Sequence, residues 1–288
     1  MKYKIFDAHC DTLCLLNDLG GSIQKNPFHV DKVRMRTYDS YTQVFACFID
    51  PIYRDTAMER FIDLSDVFYS QHIDGILSVE GGEMITNLKA LRTLKRLGVR
   101  IAALTWNYSN HIATGALEPN PERGLTEFGR SVVREMNRIG MLIDYSHLND
   151  RSFFEIAAIS KMPVVATHSD SRAICPNPRN LTDEQFRIVM QTGGCVGINF
   201  YPPFLSGETA DIEDIIRHIE HFMSLGGERN IGIGADFDGV DCLPEGIKSC
   251  RDTYKVFDRL LQLNYSEKTV QRISHRNFER VFRHYAAQ

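Results

Sequence analysis

Eight short apolar runs recur along the 288 residues, at 3–7, 43–49, 75–79, 101–105, 141–145, 163–167, 195–200 and 231–235, with starts 22 to 40 residues apart. Such an interval holds a strand, a connection and a crossover helix. Helical patterns fill several intervals. Residues 126–139 set Phe128, Val132, Val133, Met136 and Ile139 on one stripe before Gly140. Thr182 and Gln185 form a T-x-x-Q capping pattern that opens the next helix. Residues 211–225 carry Ile212, Ile215, Ile216, Ile219 and Phe222, then stop at Gly226-Gly227. Eight β-then-α units without an internal linker predict a single (β/α)8 TIM barrel domain over residues 1–288. A doubly wound open sheet competes, but it usually carries a phosphate-type glycine loop after its first strand, and none follows residue 7. The long segments 18–42 and 107–125 read as loops over the barrel mouth, and helices near 253–263 and 266–284 complete the shell.

Composition narrows the partners. Lys and Arg number 33 against 37 Asp and Glu, a net charge of −4, and 43% of residues are hydrophobic. A disordered chain would hold fewer apolar residues, and a nucleic-acid binder would gather a basic face. No run of about 18 apolar residues is present to span a bilayer, and residues 1–5 lack the apolar core of a signal peptide. Seven cysteines without a CxxC pair read as reduced thiols, hence a cytoplasmic protein without a membrane anchor.

Ionisable residues sit at the C-terminal ends of the runs: His9 and Asp11 after the first, Glu80 after the third, His147 after the fifth, His168 after the sixth and Asp236 after the eighth. In a barrel those ends converge on one mouth, where barrel enzymes carry out their chemistry. Any one of these residues alone is better read as a structural hydrogen-bonding group. Three imidazoles and two carboxylates gathered together suit zinc, which takes nitrogen and oxygen ligands. Five ligands exceed one open tetrahedral site but fit two ions sharing a carboxylate, the arrangement that activates a water between paired metals. Asp236, at the same end of the barrel, could accept that water's proton and return it to a leaving amine. Asp238-Gly239 reads as a turn.

These residues resemble a known family. Asp7-Ala8-His9-Cys10-Asp11, Val79-Glu80-Gly81-Gly82, the stretch 124–147 ending in Asp144-Tyr145-Ser146-His147, Ala166-Thr167-His168-Ser169, Pro178-Arg179-Asn180 and Gly234-Ala235-Asp236-Phe237-Asp238-Gly239 look like the membrane (renal) dipeptidase family, dinuclear zinc peptidases of the amidohydrolase type. The motifs keep the family's order along nearly the whole chain. The resemblance implies two Zn2+ per chain, one held by His9 and Asp11, the other by His147 and His168, with Glu80 bridging. It implies that Asp236 is the catalytic acid/base and that Arg179 binds the terminal carboxylate of a free dipeptide, a group that a guanidinium grips with two parallel hydrogen bonds. Tyr201 matches a family motif at the seventh strand end, as a pocket residue or a rim aromatic.

The chain also departs from the family. Where the mammalian pattern reads Leu-Thr-His, with the histidine touching substrate, this chain has Leu104-Thr105-Trp106. That role has no matched residue, His111 included, and Trp106 is either a pocket wall or a packing residue. His218 and His221 read as a solvated helix face, and His29 shows no constellation. The expected function is hydrolysis of free dipeptides, L,L and also L,D, by a metal-bridging hydroxide. A related binuclear amidohydrolase acting on another small amide or ester, or a non-catalytic metal-binding barrel, is the alternative. A homodimer stays open.

Overall fold

In the computed structural model, which describes residues 3–285, the eight apolar runs are eight parallel strands in sequential order, closed into a barrel by β8 on β1. They are β1 (Lys4–Cys10), β2 (Ser40–Phe48), β3 (Ile76–Glu80), β4 (Val99–Ala103), β5 (Leu142–Asp144), β6 (Val165–Ala166), β7 (Cys195–Ile198) and β8 (Ile231–Ile233). The α-helices are α1 (Thr12–Leu19), α2 (Lys32–Met35), α3 (Ala57–Ser70), α4 (Leu88–Arg96), α5 (Glu127–Ile139) and α6 (Asp150–Ile159). They continue with α7 (Asp183–Gln191), α8 (Pro202–Leu205), α9 (Ile212–Ser224), α10 (Tyr254–Gln262), α11 (Glu267–Gln271) and α12 (Asn277–Tyr285). The local signals behave as chemistry dictates. Thr126 caps α5 by accepting from Gly129 N–H, and Gly140 ends it at φ 66°, a conformation that costs glycine little. Both halves of the Thr182–Gln185 capping box form.

The strands alternate between two apolar layers. Phe45, Leu77, Ala102, Ile143 and Val196 face the surrounding helices. Phe6, Val44, Ile101, Leu142, Val165 and Cys195 fill the lower barrel, closed from below by Phe278 and Phe282 of α12. Phe278 stacks on Phe6 at 5.5 Å and lies where a side chain on Gly232 would go, a Cβ there meeting the ring at 2.4 Å. Higher up, a Cβ on Gly197 would approach Thr167 O to 2.0 Å.

One irregularity matters for the mouth. The pairing of β1 with β2 shifts register between Asp7 and Cys10, so three steps on β1 match two on β2. Strict alternation would put Phe6 and His9, three residues apart, on opposite faces. The extra residue of the bulge lets Phe6 fill the lower barrel while His9 also faces inward, above it.

Two expectations need correction. Segment 18–42 reaches the mouth around His29, whose N–H donates to Asp238 at 2.7 Å; the chain then runs down the flank to the start of β2, where Asp39 N–H meets Tyr3 O. His218 is buried rather than solvated. Its Nδ1 accepts from Ser171 N–H at 3.0 Å, so Nε2 carries the proton donated to Leu205 O at 2.9 Å. His221 is partly buried and pairs with Asp183. Among the described residues, no helix is long and apolar enough to cross a membrane.

Candidate metal centre and substrate cavity

His9, Asp11, Glu80, His147, His168 and Asp236 all converge at the C-terminal mouth and are all buried. Glu80 stands in the middle. Its Oε1 faces His147 Nε2 at 2.6 Å and His168 Nε2 at 3.5 Å; its Oε2 faces His9 Nε2 at 3.3 Å. Asp11 Oδ2 lies 3.4 Å and Asp236 Oδ1 3.8 Å from the same His9 nitrogen.

The proton positions follow from the partners behind each ring. Thr167 Oγ1 donates to Asp144 Oδ2 at 2.5 Å and so accepts from His168 Nδ1 at 2.8 Å. His147 Nδ1 faces Asn107 Oδ1 at 2.8 Å, which can only accept. Both Nε2 atoms therefore turn lone pairs inward, 2.8 Å apart, onto a carboxylate oxygen. His9 Nε2 and Asp11 Oδ1 have no hydrogen-bond partner at all. Lone pairs facing lone pairs in a buried site repel unless a cation lies between them.

The donor spacing fits such cations. Two ligand atoms about 2.1 Å from a tetrahedral ion lie about 3.4 Å apart, which matches the His9–Asp11, His9–Glu80 and His168–Glu80 separations of 3.4, 3.3 and 3.5 Å. The shorter contacts around His147 must open by several tenths of an ångström. The donors divide into overlapping sets, His9–Asp11–Glu80 and Glu80–His147–His168, each within 4.8 Å. Electrostatics lead to the same place. Burial opposes charge on His9, yet Glu80 and Asp11 outweigh it and raise the imidazole pKa well above its usual value. Burial and then Arg179 push His147 down to about 3, so it offers a neutral lone pair.

Backbone strain clusters at the same mouth. His147, Asp236 and Asp238 have φ of 67°, 62° and 67°, a left-handed conformation costing roughly 1–3 kcal/mol in a residue with a Cβ. Gly239 closes the turn that carries Asp236. A Cβ there would meet Asp11 Oδ2 at 2.1 Å and Asp236 Oδ1 at 2.6 Å. Asp238 forms part of that turn and also accepts from Thr12 Oγ1 at 2.6 Å, which fastens the β8 loop to α1. Asn199 Nδ2 donates to Asp236 Oδ2 at 2.8 Å and leaves Oδ1 on the His9 side.

A cavity of about 430 Å³ opens over this cluster, within the usual size of a small-molecule site. Tyr201 and Phe204 line one side, with Trp106 and Phe48 among the other lining residues. Trp106 is thus a cavity wall. His111 instead bonds Ile85 O and stacks on Phe128. Arg179 lies behind Phe204, 5.4 Å from the ring centre. Its Nε and Nη2 are buried without a partner, and no carboxylate among the described residues comes within salt-bridge distance. Asn107, Thr167, Asp144 and Asn199 escaped the sequence reading. Thr167 and Asp144 each stand within three residues of a strand-end histidine, the one signal that could have found them.

Residues 54–288 match the family described as membrane dipeptidase (peptidase family M19). An uncharacterized dipeptidase of Schizosaccharomyces pombe is 35% identical over 221 residues, 75% of this chain; the match spans 54% of the yeast protein, about half its length. A second uncharacterized dipeptidase from that yeast is 31% identical over 90% of this chain and 74% of its own length. Among solved structures, a metallo peptidase called dipeptidase AC is similar over the whole of both chains, with a TM-score of 0.91 and 25% identity. A metallo peptidase from Rhodobacter sphaeroides, liganded with a phosphinate mimic of the dipeptide L-Ala-D-Ala, has a TM-score of 0.88 and 25% identity, over 99% of this chain and all of its own.

Proposed function

The chain belongs to the membrane dipeptidase family, and from that premise we propose that it hydrolyses the peptide bond of free dipeptides, L,L and L,D, with two zinc ions. The observation that carries this reading is Glu80, whose two oxygens face two separate donor groups, His147 with His168 and His9 with Asp11. In it His9 and Asp11 would hold one ion, His147 and His168 the other, and Glu80 would be shared by both. When bound, the pair supplies an acidified water for attack and positive charge for the oxyanion that develops on the carbonyl.

The chain's own groups do the rest. Asp236, held at Oδ2 by Asn199, takes the proton from the attacking water through Oδ1 and passes it to the amine as the C–N bond breaks. Arg179, with its unpaired donors, receives the substrate's terminal carboxylate. An anchor one residue beyond the broken bond admits a dipeptide and excludes longer chains. Tyr201 packs edge-on against Phe204 and closes the wall on that side. All seven cysteines are free, six of them buried, which fits a reducing compartment, and we place the protein in the cytoplasm.

Elemental analysis joined to a dipeptide panel tests the reading. The expected result is about two zinc per chain and cleavage that a chelator abolishes and zinc restores. Asp236→Asn should retain the metal and lose roughly 10²–10⁴-fold in kcat. Metal binding without turnover on any dipeptide would leave a metal-binding barrel, and turnover confined to other amides or esters would move the substrate class.

A further inference from the structure

We infer that Trp106 and Phe48 form the recognition wall for the side chain of the dipeptide's first residue, so that substrates with a large apolar or aromatic first residue are preferred. The inference rests on the dipeptidase reading above and adds the identity of the substrate to it.

Strand order around the closed barrel puts the ends of β2 to β4 across the mouth from those of β6 to β8. Phe48 ends β2 and Trp106 follows β4; their rings lie 5.3 Å apart, and Trp106 reaches to 6.2 Å from the His147 ring. Arg179, Tyr201 and Phe204 occupy the opposite arc, in the chain from the end of β6 through α8. A dipeptide whose carboxylate meets Arg179 lays its second residue on that arc and its peptide carbonyl over Glu80. Its first residue then extends toward β1 to β4.

Two surfaces wait there, and they differ in chemistry. Asp238 and Asp241 line the cavity on the β8 side and suit the ammonium group. Phe48 and Trp106 are left for the side chain. Both rings are partly exposed to the cavity. A flat indole face in that position rewards apolar and aromatic side chains and offers little to a glycine.

The test reads kcat/KM for Phe-Ala, Leu-Ala, Gly-Ala and Ala-Phe with the zinc-loaded enzyme. The expected order puts Phe-Ala about tenfold or more above Gly-Ala, within what an apolar pocket can discriminate. In Trp106→Ala that ratio should collapse toward one, while Trp106→Phe should keep most of it; melting curves confirm that both variants fold. A second readout is built in, because Trp106 is the chain's one tryptophan. Its emission should respond to Phe-Ala at lower concentration than to Gly-Ala in Asp236→Asn, where cleavage is slow. Equal kcat/KM for Phe-Ala and Gly-Ala, a ratio unchanged in Trp106→Ala, or a preference for Ala-Phe would overturn the inference. Loss of all dipeptide cleavage would strike the dipeptidase reading instead, and the fluorescence titration would still decide the wall.

Discussion

Arg179 lies against the Phe204 ring with two buried donors unpaired. Burial makes its charge expensive and lowers its pKa; Asp236 is the first of the more distant carboxylates that favour it. A buried guanidinium in that state gains most from a ligand that accepts two hydrogen bonds at once. In Arg179→Ala, kcat/KM should fall about 10²-fold or more for free dipeptides, and the ratio of free to C-terminally amidated substrate should collapse. Equal losses on both substrates would show that Arg179 holds the loop and not the carboxylate. The histidine ligand candidates were legible in the sequence because each ends an apolar run. Their orientation was not. Asn107 comes from a loop and Asp144 lies inside a strand, so neither could be assigned to a ring nitrogen before the barrel brought them together.

At the scale of elements, α9 ties the two walls of the β6–β8 side together. His218 accepts from Ser171, in the loop that leads to Arg179, and donates to Leu205 at the end of the helix carrying Phe204. Asn180 adds a bond from the same loop to Phe204 O at 2.8 Å. Burial lowers the His218 pKa to about 4. Between about pH 6.5 and 4 the unfolded chain binds a proton there that the folded chain does not, so stability falls as pH drops through that window. The loss approaches about 3 kcal/mol. Urea unfolding of wild type and His218→Gln across pH 8 to 4 should show stability falling more steeply in the wild type than in the variant; parallel curves would count against it. Helical periodicity placed α9 well but misjudged its face. His218 stands one residue from Ile219 and three from Ile215, close enough to the apolar stripe for an imidazole with two backbone partners to be taken into it.

The whole molecule divides into a base that holds the barrel together and a mouth that carries the chemistry. Eight strands were readable because parallel strands buried on both faces are nearly continuous apolar runs. The closing of the base was not readable, since Phe278 and Phe282 lie on an ordinary amphipathic helix and meet Phe6 only in three dimensions. Phe278→Ala should cost about 3–5 kcal/mol, seen as a lower denaturation midpoint, while kcat at moderate temperature stays near wild type. A matching loss of kcat would mean that base and mouth are coupled. The single extra residue in β1 bears on how such a protein can change over generations. Deleting Ala8 would restore plain alternation with Cys10 still opposite Phe45, and His9, then two residues after Phe6, would keep facing inward. Deleting Cys10 instead would set His9 and Asp11 on opposite faces, so this strand can lose a residue before its donors and not between them.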